Sequence, residues 1–387
     1  MPTYARLYAY IKLFEGMQFI LPIYILFEHD YLHFSYSQIG AHWGLFLVVS
    51  VLFDYVFGAV ADRWGARRAY IAGQMLQMFY FGSFLVVSTY GAVLVASVVG
   101  GLGQALGSNS LNTLVHKKLE TDGQQKYYPQ VLAHAQQMFF VGRIAASVIG
   151  GFVYAFHPYA AYLCYLGALA IAAGMALALP HVRQENLHSF HQIVTESLQT
   201  VSKVRGVMPY LALMFATVLL LDVLFLYYQP YFGALGASPH ELGIMFAGIS
   251  LVAVISARIG KRHLSRHSAG FFIRLALISA GLTAIGLWST QLPLVYFVPL
   301  IMSLSSGVLN PSLQYTLTCL ADNHSKTSVV SIGTMCASAG TAGAFFLSGH
   351  LADHFLSSEI FLSVITVSIM LLVATIAIPQ KFAPLRR

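Results

Sequence analysis

The stretch Gly58 to Arg68, GAVADRWGARR, is a short charged segment between two long apolar runs. Asp62, Arg63, Arg67 and Arg68 place four charges here, in a chain only 9% of whose residues are charged. Charges at that density require water. The apolar run before it, about 22 residues from Gly40 to Ala61, and the run after it, about 20 from Ala69 to Ser88, are each long enough to cross a bilayer. The segment therefore reads as a tight turn at a membrane surface, and its three arginines assign that surface to the cytoplasm.

Composition points the same way. Of the 387 residues, 57% are hydrophobic, and the mean hydropathy is +0.70. A soluble chain does not carry that composition, so this reads as a polytopic membrane protein. The net charge of +7 is spread over many short loops, which favours topological charge over a nucleic-acid surface. Cys164, Cys319 and Cys336 lie inside apolar runs, where neither a disulfide framework nor a CxxC metal pair can form. The first apolar run contains Lys12 and Glu15 and lacks a small-residue cleavage site, so it reads as a retained helix rather than a signal peptide.

Runs of about 20 apolar residues predict twelve spans. Six fall at 7–28, 38–60, 69–88, 91–115, 130–155 and 159–179. Six more fall at 208–232, 241–260, 271–289, 293–317, 327–349 and 358–378. The fold expected is all-α, twelve transmembrane helices in two six-helix bundles over residues 1–180 and 208–387. Between them, residues 181–207 form an amphipathic stretch suited to a cytoplasmic surface helix.

The loops orient the bundles. Arg63, Arg67, Arg68, Lys117, Lys118, Lys126, Arg183, Lys203 and Arg205 all fall on one side, as do the basic residues after the eighth span and in the tail. Loops on the other side carry Glu28, Asp30, Glu241, Asp353 and Glu359, and no Lys or Arg. Both termini are therefore expected in the cytoplasm. A weak echo of the central turn, ARIGKR at Ala257 to Arg262, follows the eighth span and suggests related halves.

The residues Gly58, Asp62, Arg63, Gly65, Arg67 and Arg68 resemble the GxxxDRxGxRR signature of the major facilitator superfamily, and twelve spans in two sixes are similar to that family's architecture. The resemblance implies a conformational latch, with Asp62 as the key acid, the three arginines as its partners, and the two glycines permitting the close turn. A second stretch, GRIAASVIGG from Gly142 to Gly151, resembles the glycine-rich fifth-helix signature of exporters in the family, with Ala-Ser in place of the usual Gly-Pro. The fourth span lacks the arginine that many proton-coupled members carry.

Ionisable residues inside spans cost about 3 kcal/mol or more unless paired or wetted, so each asks for a reason. Asp222, near the middle of the seventh span, is the leading candidate for proton coupling, followed by Glu15, Asp54 and His134. Lys12 stands three residues before Glu15 and could pair with it, and Asp54 lies close enough in sequence to join the latch. His42 is also placed inside a span, where it could handle protons.

Arg143 could bind an anionic substrate or neutralise Glu15 or Asp222. Polar stripes at helical spacing, Gln104, Ser108 and Asn112 in the fourth span and Ser303, Ser306, Asn310 and Gln314 in the tenth, read as a substrate cavity, with Gln229 and Tyr227 on the seventh.

These features point to a secondary active transporter in a bacterial inner membrane, with no cofactor and no metal. It moves a small organic solute by alternating access, with protons as the coupling ion. Proton-driven efflux leads over proton-coupled uptake of a metabolite or siderophore-like solute. A membrane-embedded enzyme is disfavoured because the chain contains no P-loop, HExxH or GxSxG. A receptor or scaffold is a further class, and the resemblance favours a monomer with the lipid bilayer and the solute as its partners.

Overall fold

The structure, a computed structural model, describes residues 2–87, 89–108, 110–180, 231–263 and 326–354, with scattered helical positions between 211 and 229 and between 278 and 303. The linker expected at 181–207 and the span expected at 358–378 lie outside the described residues, as do Tyr227, Ser306, Asn310 and Gln314. The described residues are helical, with no strand among them. Four helices among them are long and apolar enough to cross a membrane: Tyr36–Asp54, Tyr90–Thr121, Gln125–Phe156 and Pro239–Ser256.

Contacts divide the chain into two compact units. The first comprises Met1–Val194 with Ala237–Ala247, and the second Thr195–Gly236 with Gly248–Arg387. In the first unit, α1 (Thr3–Gly16) is followed by a short helical turn, Tyr24–Leu26, and a π-helical turn, Phe27–Tyr31. Then come α2 (Tyr36–Trp64), α3 (Ala66–Ser83), α4 (Tyr90–Gly107), α5 (Ser110–Thr121), α6 (Tyr128–Phe156) and α7 (Ala160–Ala176). The helix α8 (Pro239–His263) contributes its first residues to this unit and the rest to the second, which also contains α9 (Lys326–His354).

One expected span is interrupted. The span expected at 7–28 stops being helical at Gly16, where the backbone turns at Met17 (φ −71°, ψ 61°), and helical turns resume only at Tyr24, beyond Pro22. The span expected at 91–115 falls within the apolar helix Tyr90–Thr121, described as α4 and α5 on either side of residue 109. By contrast, α2 starts on a full capping box: Ser35 Oγ accepts from the Gln38 amide at 3.2 Å while the Gln38 side chain accepts from the Ser35 amide at 2.9 Å. It ends at Gly65, whose φ of 88° suits glycine and lets α3 begin on the next residue.

Glycines bring α1 and α6 into backbone contact. A Cβ on Gly142 would fall on the Leu13 carbonyl, one on Gly150 on the Phe19 carbonyl, and one on Gly16 on the Phe139 carbonyl. The GRIAASVIGG stretch thus serves close packing of the first helix against the sixth, as small residues do in membrane bundles. Replacing Gly142 with Leu must push the two backbones apart. The expected outcome is a thermal unfolding temperature well below wild type in detergent, as overpacking costs about 1–3 kcal/mol or more. An unchanged transition would contradict the packing.

Candidate functional site

Five helices of the first unit and the segment after the first of them line a cavity of about 250 Å³. Helix α1 contributes Lys12 and Glu15, and the irregular segment after it Gln18. From α3 come Gln74 and Gln77, and from α4 and its end Gln104 and Ser108. Phe139 of α6 and Tyr165 and Leu169 of α7 close it with less polar surface. Gly73 of α3 lies so close to Gly103 and Gly107 of α4 that a Cβ there would overlap their backbone, and this close crossing holds the two glutamine-bearing helices together.

Most polar groups in the cavity are partnered. Lys12 Nζ bonds Glu15 Oε2 at 2.6 Å, an i,i+3 ion pair in which both side chains are largely buried. Gln77 Nε2 donates to the Gly100 carbonyl at 2.9 Å and to Gln104 Oε1 at 3.2 Å. Gln74 differs: it is 8% exposed, and its Oε1 meets no hydrogen-bond donor. A buried amide oxygen without a donor costs about 1–3 kcal/mol, so it offers an acceptor to whatever enters.

Of the expected cavity residues, Gln104 and Ser108 line this space and Asn112 does not. Asn112 Oδ1 accepts from Tyr8 Oη at 2.6 Å and ties α5 to α1 instead. Arg143 lies on α6, one turn from Phe139 and within electrostatic reach of Tyr165. Among the described residues it pairs with no carboxylate: Glu15 is taken by Lys12, and Arg143 Nε meets no acceptor. Arg143 is therefore a cation with no carboxylate partner among the described residues, on α6 one turn from the cavity-lining Phe139.

The proton candidates are spread out. Asp54 is exposed, and its Oδ1 accepts from Ser108 Oγ at 2.6 Å, so its described partner is the cavity rim and not an arginine of the turn. His134 is half-buried on α6. In the second unit, Asp222 Oδ2 accepts from Thr341 Oγ1 of α9 at 2.5 Å, with Val223, Leu226 and Ala344 forming an apolar cluster nearby in sequence. Gln229 is 1% exposed. Of the tenth-span stripe, the described Ser303 bonds the Ile249 carbonyl at 2.6 Å.

At the arginine turn, Arg67 Nη1 donates to the Leu179 carbonyl at 2.9 Å and the Leu177 carbonyl at 3.2 Å. These carbonyls lie just past the C-terminal end of α7, where chain carbonyls lack helical partners and a cation is favoured. Arg63 and Arg68 are exposed, Gly58 lies within α2, and the side chain of Asp62 lies outside the described residues.

Sequence reasoning singled out His42 but missed the residues that meet it. Glu28, expected in an exposed loop, is 0% exposed, and its Oε2 lies 2.6 Å from Nε2 of the equally buried His42. The signal was weak because nothing in the residues around Glu28 announces a π-helical turn.

A helical bundle with no strand among its described residues, with membrane-crossing helices and a polar cavity in the first unit, is the build of a polytopic membrane protein. The family model for the Major Facilitator Superfamily matches residues 13–342, and the chain belongs to that family. An uncharacterized MFS-type transporter, YxaM of Bacillus subtilis (strain 168), is 23% identical over 242 residues, 60% of this chain. The match spans 59% of that relative's length.

Solved structures share the fold. The nucleoside transporter NupG superposes with a TM-score of 0.82 at 14% identity, covering 97% of this chain and 99% of that one. The peptide transporter POT gives 0.71 at 13% identity, covering 97% and 92%.

Arg67→Gln removes a charged donor from two carbonyls and is expected to lower stability by about 1–3 kcal/mol. Arg68→Gln at an exposed position is expected to leave it within about 0.5 kcal/mol. Thermal unfolding of the two purified variants compares them, and equal losses would contradict the assigned role of Arg67.

Proposed function

We propose that the protein is a secondary active transporter that moves a small, hydrophilic, negatively charged organic solute by alternating access, driven by protons. The observation that carries this reading is the glutamine-lined cavity of the first unit beside the uncompensated Arg143. Lys12 and Glu15 cancel, so the net charge nearest the cavity on this reading is that of Arg143, one turn along α6 from the lining residue Phe139. A guanidinium buried without an acidic partner favours a carboxylate or phosphate on the solute, to which it can donate two parallel hydrogen bonds.

The polar lining also bears on direction. Efflux of an amphipathic compound led among the expectations from sequence, but glutamine amides and an ion pair suit a hydrophilic metabolite better than an apolar drug. Proton-coupled uptake is therefore the leading reading, with efflux as the alternative that a directional assay separates.

Asp222 is the favoured proton carrier. Its described partner is a neutral hydroxyl, so protonating it breaks no ion pair, whereas protonating Glu15 would release Lys12. The wider setting is twelve helices in two bundles over 1–180 and 208–387 with a linker at 181–207, both termini cytoplasmic, in a bacterial inner membrane as a monomer. The distribution of Lys and Arg supports the orientation. The superposition of 97% of the chain on NupG supports the fold.

The test is flux into proteoliposomes under an imposed pH jump, across hydrophilic acids, nucleosides, short peptides and cationic dyes. The expected result is gradient-driven accumulation of a hydrophilic anion. Asp222→Asn is expected to abolish the gradient-driven flux while sparing solute exchange, because an amide mimics the protonated acid. Arg143→Gln is expected to raise KM by about tenfold or more, the scale of a lost buried charge pair. Transport of a dye that is indifferent to Arg143→Gln would overturn the substrate class.

A further inference from the structure

The buried pair at Glu28 and His42 lies outside the cavity, and its elements converge on it from several directions. Glu28 stands in the π-helical turn after α1, His42 in the second turn of α2, Tyr80 near the end of α3, and Ser97 two turns into α4. Each is at the end of its helix away from the Gly65 turn, so the pair sits toward the opposite end of the bundle. Both residues are 0% exposed. Around them stand rings: Trp43 and Phe84 lie with centroids 5.6 and 5.8 Å from that of His42.

The hydrogen bonds are directional. His42 Nε2 meets Glu28 Oε2 at 2.6 Å, and Trp43 Nε1–H donates to the other carboxylate oxygen at 3.1 Å. On the far side of the imidazole, Nδ1 has two hydroxyls, Ser97 Oγ at 3.3 Å and Tyr80 Oη at 3.4 Å. Ser97 has already committed its proton to the Val93 carbonyl at 2.8 Å, so toward Nδ1 it can only accept. Tyr80 can donate.

The imidazole therefore has a partner in either state. With Nδ1 bare, Tyr80 donates to it, and the pair carries the full negative charge of Glu28. With Nδ1 protonated, Ser97 accepts from it, and the pair is neutral overall. Adding the proton changes nothing else: Nε2–H stays on the carboxylate and no electrons move. A lone negative charge among apolar rings is strongly penalised, and among the described residues no Lys or Arg pairs with Glu28 to relieve it. The titratable groups facing Glu28 from the packed elements are the phenols of Tyr24, Tyr80 and Tyr162, which are neutral. Its neighbours His29 and Asp30 turn elsewhere, His29 onto the Phe34 carbonyl and Asp30 into the open.

We propose that Glu28 and His42 form a proton-binding site, separate from the solute cavity, that holds one exchangeable proton between them. Opening the end of the bundle at which it sits would give water access to that proton, so its occupancy is linked to the state of that end. The site stands whether or not transport is driven by protons.

The test needs no solute. In nanodiscs, a protein carrying Trp64→Phe and Trp288→Phe keeps Trp43 as its remaining indole. An imidazolium quenches an adjacent indole more than a neutral imidazole does, so Trp43 emission reports the proton on His42. Between about pH 5 and about pH 9, on either side of the ordinary imidazole range, the emission is expected to fall on acidification in a single one-proton step. His42→Gln is expected to remove the step. Ser97→Ala, which deletes only the acceptor for the protonated state, is expected to move the midpoint down by about one pH unit, and it serves where His42→Gln does not fold. A flat emission profile in the wild type, or a step unmoved by both variants, overturns the site.

Discussion

A charge placed in hydrocarbon has to be answered from within the protein, and the polar architecture of this transporter follows from that rule. Lys12 answers Glu15 one helical turn away, His42 answers Glu28 across two elements, and Thr341 answers Asp222 from a neighbouring helix. At the membrane margin, Arg67 is answered by free carbonyls past the end of α7 rather than by an acid. Arg143 alone among these is left waiting, and it lies next to the one polar cavity described in the first unit. In a medium where an unpaired charge is so costly, that exception is where a solute has something to contribute.

Backbone proximity decides where those groups can meet. The glycines at 16, 142 and 150 let α1 run against α6 with no side chain between them, and Gly73 does the same for α3 against α4. Close helix crossings fix the backbone, and the long polar side chains of Gln18, Gln74, Gln77 and Gln104 then reach into the space left over. The break after Gly16 matters as much. Had the first helix continued, Glu28 would stand on a regular helical face; the irregular segment and the π-helical turn aim it inward at His42 instead.

The periodic features were legible from residues alone. Long apolar runs, the charged turn at Gly65 and the Lys12–Glu15 spacing all depend on local sequence, and the described residues contain helices at the runs of the first half, the positive φ at Gly65 and the 2.6 Å ion pair. What was hidden depends on residues far apart in the chain. Asn112 looked like a cavity residue because it shares a stripe with Gln104 and Ser108, yet Tyr8, 104 positions away, claims it. Asp54 looked like a member of the arginine turn, but Ser108 reaches it from α4. Glu28 was misjudged as a loop acid because hydropathy reports the composition of a segment and not the direction of one carboxylate. The place of Arg67 against Leu177 and Leu179 likewise needs the end of α7, which no local pattern around the turn contains.

Alternating access requires that the first-unit cavity be wet and reachable from each face of the membrane in turn. The most direct measurement is labelling of a single cysteine at Ser108, in a chain lacking Cys164, Cys319 and Cys336, with a membrane-impermeant maleimide applied to sealed vesicles of either orientation. Reaction from both faces, in proportions that shift when a proton gradient is imposed, is the expected result. A thiol that is unreactive from both faces, or that reacts from one face in fixed proportion whatever the gradient, would contradict a cavity that opens alternately.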